Sequence, residues 1–172
     1  MSLSRIPLAV LACCCLFKPA VAAELSLHIE IPRLNVAEYH RPYLAIWLED
    51  EQRKPTNLAV WYDIKMKDGE GTKWLKDLRQ WWRKSGRDLE FPIDGMTSAT
   101  RAPGKHRISY SSEKTPLKAL TPGQYRLFIE AAREVGGREV VSTSLTWPPR
   151  QATTETLSGK EELAEILIRL TP

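Results

Sequence analysis

A mainly β fold, an antiparallel β-sandwich with one inserted amphipathic helix, is predicted by three features of the 172-residue sequence. Apolar residues alternate strictly from Leu25 and again from Ala164. Two glycines, Gly136 and Gly137, separate two strand-like runs. The hydrophobic period lengthens from two residues to a helical repeat in one place, between residues 73 and 84.

Leu25, Leu27, Ile29 and Ile31 point one way and Ser26, His28 and Glu30 the other, as in a half-buried strand. Pro42 opens a second run from Tyr43 to Glu49. Residues 50 to 57 read as a polar turn containing Lys54-Pro55, and Leu58 to Ile64 as the hairpin partner. From Lys73 to Lys84 the apolar residues are Trp74, Leu75, Leu78, Trp81 and Trp82, the spacing of one helix face. Thr72 is placed to cap that helix and Gly86 to end it, with Lys76, Arg79 and Arg83 on the opposite face. Residues 85 to 105, rich in Asp, Gly, Pro, Ser and Thr, read as a long loop. His106 to Tyr110 is a short strand. Tyr125 to Val135 and Arg138 to Trp147 flank the two glycines, predicting a tight hairpin with positive φ at the turn. Pro148-Pro149 and residues 151 to 160 form a polar connection to the last strand, where Ala164, Ile166, Ile168 and Leu170 alternate. About six to eight short strands with turns between them indicate a sandwich of the Ig-like or transthyretin-like kind. Six tryptophans supply much of its core area.

Residues 1 to 23 carry an address. Arg5 gives a positive start, Ile6 to Phe17 is apolar apart from Pro7, and small residues lead up to Ala22 and Ala23. This is the pattern of a secretory signal peptide cleaved near Ala22 or Ala23, with an apolar run too short to span a bilayer. A lipoprotein reading, with Val10-Leu11-Ala12 before a lipidated Cys13, suffers from the short apolar run ahead of it. Cleavage removes Arg5, Lys18 and Cys13, Cys14 and Cys15, the three cysteines of the sequence. Residues 24 to 172 then form one domain with 23 basic and 21 acidic residues, a net charge of +2, and no thiol. Disulfides, thiolate metal sites and a Cys nucleophile are excluded together. The expected compartment is the periplasm or the cell exterior. A mean hydropathy of −0.34 excludes a polytopic membrane protein, and the mixed charge gives no argument for nucleic acid.

One motif carries chemistry. Asp94-Gly95-Met96-Thr97-Ser98-Ala99-Thr100 resembles the acceptor motif of bacterial flavin transferases: Asp, two variable residues, Ser or Thr, a small residue, then Ala-Thr. The resemblance implies a magnesium-dependent transferase that takes FAD and joins its FMN moiety to the last threonine by a phosphoester. Thr100 matches the attachment residue, Asp94 the leading acid, and Thr97 and Ala99 the other fixed positions. Ser98 departs from the pattern, since glycine is commonest there. The residue types suit the task. Gly95, Ser98 and Ala99 let backbone approach a phosphate closely. An acceptor hydroxyl needs an exposed, pliable loop, and Arg101, Lys105 and Arg107 could offset the charge of the phosphoester. The same composition also describes a plain turn leading into a polar strand.

From Leu25 to Leu170 the chain also resembles a family of small secreted bacterial proteins known as a domain of unknown function. Tyr43-Leu-Ala-Ile-Trp47, Trp74-Leu-Lys-Asp-Leu-Arg-Gln-Trp-Trp82, Ser98-Ala-Thr-Arg-Ala-Pro-Gly104 and Glu130-Ala-Ala-Arg-Glu134 carry the resemblance. It implies an extracytoplasmic redox role beside a PepSY-type membrane redox protein and a flavin transferase. It transfers no catalytic residue.

Other groups are weaker. Trp74, Trp81 and Trp82 could stack on an isoalloxazine ring, with Lys76, Arg79 or Arg83 near its reduced form. The plainer reading packs them on the sandwich with a solvated basic face. His28, His40 and His106 have no ligand spacing, and an exposed His28–Glu30 pair is the plainer reading. Glu49, Asp50 and Glu51 fall at a hairpin tip. The sequence lacks a nucleophile elbow, a P-loop, a dinucleotide fingerprint and a zinc-protease helix. Two functions follow: an electron carrier bearing FMN on Thr100, or a cofactor-free binding or adaptor module that engages a membrane or envelope partner through its sheet edge or Trp-rich helix.

Overall fold

The computed structural model describes residues 22–172. The export segment, including Cys13, Cys14 and Cys15, lies outside the described residues except for Ala22 and Ala23.

The chain runs through β1 (Glu24–Ile31), β2 (Tyr43–Glu49) and β3 (Pro55–Tyr62) before a helical insert. The insert holds 3-10 turns over Lys67–Asp77, one α-helix, α1 (Arg79–Lys84), and a 3-10 turn at Gly86–Asp88. Then come β4 (Thr97–Ala99), β5 (Gly104–Ser111), β6 (Gly123–Ala132), β7 (Arg138–Trp147), β8 (Thr153–Ser158) and β9 (Glu165–Thr171). The strands form a four-stranded sheet in the order β5-β1-β9-β8 and a five-stranded sheet in the order β4-β3-β2-β6-β7. This is the expected sandwich. All pairings are antiparallel except β3 with β4, which is parallel.

Between the sheets lies an aliphatic core built on Leu25, Leu27 and Ile29 of β1, Ile46 of β2, Ile129 of β6 and Ile168 of β9. A second core covers the outer face of the five-stranded sheet. There Leu75, Leu78 and Trp81 of the insert pack on Ala45, Trp47, Val60, Tyr62 and Phe128. Trp47 and Phe128 stack at 4.9 Å with their planes 6° apart. The two cores explain why β2 does not alternate: Leu44, Ala45, Ile46, Trp47 and Leu48 all have 0% exposure because both faces of the strand are covered. Burying Leu75 or Leu78 contributes about 1.5–3 kcal/mol each.

The insert departs from the expected helix over 73–84. Its apolar stripe is present, but Asp68 and Gly69 take positive φ, and Leu78 (ψ 67°) breaks the chain between the 3-10 turns and α1. Thr72 does not cap the helix; its hydroxyl donates to the Gly69 carbonyl at 2.8 Å. The first amides of α1 are satisfied from another element. The Glu130 carboxylate on β6, fully buried, accepts from the N–H groups of Gln80 at 3.0 Å and Trp81 at 2.8 Å, and from Arg138 at 2.6 Å. Glu49 does related work, accepting from the Trp47 indole at 3.0 Å and pairing with Lys84 at 3.1 Å. Buried carboxylates are costly unless bonded in this way. Gly86 opens a 3-10 turn instead of ending the helix, and a Cβ there would stand 2.6 Å from the Trp81 ring.

Four further expectations are corrected. The third strand starts at Pro55 and stops at Tyr62. The connection over 151–160 contains β8, and the loop over 85–105 contains β4. At the β6–β7 turn the positive φ belongs to Val135 (52°) and not to the glycines. Gly136 and Gly137 serve close approach: side-chain atoms of Arg133 and Glu162 occupy the space a Cβ would take. Arg133 and Glu162, both buried, form a paired bridge at 3.0 and 3.1 Å that ties β6 to the segment before β9. Nearby, Glu139 of β7 accepts the backbone N–H groups of residues 160 to 163. Partial burial pushes its carboxyl upward, but these four donors outweigh burial and hold it below its ordinary value.

Candidate functional site

The motif segment begins in a tight turn. The Met96 and Thr97 amides both donate to the Ile93 carbonyl, at 3.3 and 3.0 Å. The Thr97 hydroxyl donates to that same carbonyl at 2.9 Å and accepts from the Ile93 amide at 3.2 Å. Gly95 supplies the positive φ (71°) that the turn requires. Asp94 is exposed at its tip. Thr97, Ser98 and Ala99 then pair in parallel with Val60, Trp61 and Tyr62. The Thr100 amide adds a bond to the Tyr62 carbonyl at 3.2 Å. The expected pliable loop is therefore an edge strand, short and tied along one side.

This edge strand separates two clefts. Ala99 and Thr100, the latter half-exposed, line a cleft of about 360 Å³ whose other walls include Tyr39, His40 and Arg41 before β2, Tyr43 at the start of β2, Lys65 just after β3 and Trp74 from the insert. Tyr43 is fixed by its hydroxyl, which donates to the Gly71 carbonyl at 3.0 Å. His40 lies between Glu38 at 3.1 Å and Glu134 at 3.4 Å. Burial pushes the pKa of both Tyr39 and Tyr43 up from the ordinary phenol value, so both stay protonated. The cleft is mixed in charge, with Asp63, Asp77 and Glu134 also on its walls.

Gly95, Thr97, Ser98 and Arg101 line the second cleft, of about 410 Å³, on the other side of the strand. Arg101 lays its guanidinium over the Trp61 ring at 5.2 Å. Thus the structure gathers Ala99 and Thr100 into one cleft and Thr97, Ser98 and Arg101 into the other, with Asp94 in neither. Lys105 and Arg107 do not line the Thr100 cleft. Lys105 faces Glu30 and Glu165, and Arg107 faces Ser26 and Glu24.

The tryptophan stripe also divides. Trp81 is fully buried, with its indole N–H on Asn57 at 2.8 Å. Trp82 is half-buried against the second core. Trp74, 39% exposed, reaches the Thr100 cleft. Lys76, Arg79 and Arg83 are exposed and line neither cleft. His28 and His106 lie apart from the Thr100 cleft, and among the described residues no three His, Cys, Asp or Glu side chains gather as a metal set. No described helix is long and apolar enough to cross a membrane. The cleft residues that sequence reasoning missed are Tyr39, His40, Arg41, Tyr43 and Lys65. A visible signal was the dense aromatic and basic string Tyr39-His-Arg-Pro-Tyr43.

Comparison with known proteins places the chain in a family. Residues 24–165 match the model of a family described as "Predicted periplasmic protein (DUF2271)", and the chain belongs to that family. Its periplasmic location agrees with the export segment expected from the sequence. Neither the curated proteins nor the solved structures provide a match.

Proposed function

Starting from membership in a periplasmic family, we propose that this protein is an extracytoplasmic electron carrier with FMN joined covalently to the Thr100 hydroxyl. The observation that carries the reading is the position of Thr100, half-exposed at the end of β4 on the wall of a cleft lined by tyrosines, a tryptophan and cations. The motif supports the chemistry, and the cleft supports the cofactor. A volume of about 360 Å³ falls in the range of small-molecule sites. The exposed Trp74 offers an apolar ring face, and Arg41 and Lys65 offer positive charge to a phosphoester or a flavin edge.

In the attachment step a flavin transferase breaks the diphosphate bond of FAD. The phosphorus of FMN bonds to Thr100 Oγ1, the hydroxyl proton passes to a base of the transferase, and AMP leaves. Once bound, the flavin supplies one- or two-electron transfer, and the protein positions and tunes it. Electrons would arrive from a PepSY-type membrane redox protein and leave to an extracytoplasmic acceptor.

The cofactor-free adaptor reading has its own support. Thr97 spends its hydroxyl inside the turn, and the segment forms an ordinary edge strand. Intact mass and in-gel flavin fluorescence separate the two readings. Expressed with an active flavin transferase, the chain gains one FMN. Thr100→Val abolishes the gain and Asp94→Ala weakens it. An unmodified mass beside an active transferase overturns the flavin reading in favour of the adaptor.

A further inference from the structure

The second cleft, unlike the mixed first one, is lined by charge of one sign. It runs along the open side of the sandwich, between β4 at the edge of one sheet and β5 at the edge of the other. Arg101, Arg107 and Lys114 line it, and among the described residues no carboxylate does. Its walls are otherwise rich in hydroxyls, among them Ser98, Ser111 and Thr115. Arg107 is partly engaged from outside the cleft, by Glu24 at 3.7 Å and by Ser26 at 3.3 Å. Arg101 is held by the Trp61 ring, an attachment that leaves its in-plane N–H donors free to bind an anion.

A second, independent observation points to a ligand. Tyr110 lines this wall, and its hydroxyl is buried without a hydrogen-bond partner among the described residues. Buried polar groups are nearly always paired, and an orphan donor in a lined cleft asks for an acceptor. Burial keeps this phenol protonated, so it can only add a donor to those of the cations. The cleft's volume of about 410 Å³ is that of a small-molecule site and not of a peptide groove.

We propose that this cleft is a binding site for a small polyanion, a molecule with clustered oxyanions such as a phosphate ester or a polycarboxylate, held by Arg101, Lys114 and Arg107 with the Tyr110 hydroxyl as a neutral donor. Clustered oxyanions match the fork of an arginine and the hydroxyl lining, and a cleft without carboxylates repels nothing in such a ligand. The site does not depend on the flavin, because Thr100 lies on the other side of β4.

Calorimetric titration of the Thr100→Val chain with inorganic phosphate, and separately with citrate, tests this without any contribution from flavin. Saturable binding is expected, weakening as sodium chloride is raised. Arg101→Gln with Lys114→Gln should cost about tenfold or more in affinity. Tyr110→Phe should cost a few-fold and leave the fold intact, since it removes an unpaired group. Lys160→Gln, away from the cleft, should change nothing. In an NMR spectrum the Trp61 indole resonance should shift on binding, because Arg101 rests on that ring. Saturation by phosphate alone assigns a phosphoryl ligand, by citrate alone a polycarboxylate, and by both the shared oxyanion chemistry. Absence of saturation by either, or affinity unchanged in the double variant, overturns the proposal.

Discussion

The outer faces of the two sheets have had opposite fates. On the four-stranded sheet, Ser26, His28 and Glu30 of β1 meet Ser109, Arg169, Arg107 and Lys105 of neighbouring strands, with no further layer of described residues over them. On the five-stranded sheet, the same outward positions carry Ala45, Trp47, Val60, Tyr62 and Phe128, and the insert closes over them. A polar face needs nothing more than water. An aromatic face needs a cover, and a cover with weak helical character of its own needs fastening. Glu130 and Glu49 provide it: both sit on the sheet, and both bond upward into the insert. The Thr100 cleft opens at the margin of the covered face, where insert, β4 and the segment before β2 meet.

That contrast can be broken most severely at Glu130. Glu130→Ala strands the Arg138 guanidinium and the two leading amides of α1, and should cost about 3–5 kcal/mol in urea denaturation. His28→Ala on the bare face should stay within about 0.5 kcal/mol. Equal costs would mean that the insert is not held through its carboxylates. A milder probe is Gly86→Ala. It drives a methyl against the Trp81 ring, and should cost about 1–3 kcal/mol while quenching or shifting the tryptophan emission of the covered face.

The smallest effect concerns the link between the sheets. The Glu139 carboxyl lies below its ordinary value in the folded chain, so the unfolded chain binds a proton more readily. Its contribution is present above the ordinary value of 4.5 and disappears as pH falls through the lower folded value. Thermal melts across that acid range should show Glu139→Gln less stable at neutral pH, by about 1–2 kcal/mol. The gap from the parent should narrow as pH drops. A gap independent of pH would show that the four amides do not depend on the charge.

Legibility from the sequence followed burial. The bounds of β2 and β7 match the expected runs because Tyr43 to Leu48 is unbroken apolar sequence and because Gly136-Gly137 and Pro148 mark the two ends of β7. The expectation missed β8, since Thr153-Thr-Glu-Thr-Leu-Ser158 exposes all but Leu157 and resembles a polar linker. It missed β4 because three residues held by a parallel partner some forty positions earlier leave no local pattern. The helix expectation failed in a different way. The stripe from Trp74 to Trp82 is real, but 3-10 and α turns can present one stripe together, so periodicity alone did not reveal the break at Leu78. At the candidate site the motif marked its own residues. Tyr39, Arg41 and Lys65 join Thr100 through the pairing of β2 with β3 and of β3 with β4, which no short window of sequence contains.

The parallel edge strand has a mechanical meaning. Three residues and one trailing amide tie β4 to the sheet along one flank, while no described strand pairs with its other flank. A visiting enzyme that grips the free flank could peel the segment outward like a tab and work on its terminal hydroxyl. The hydrophobic layers beneath would stay sealed throughout.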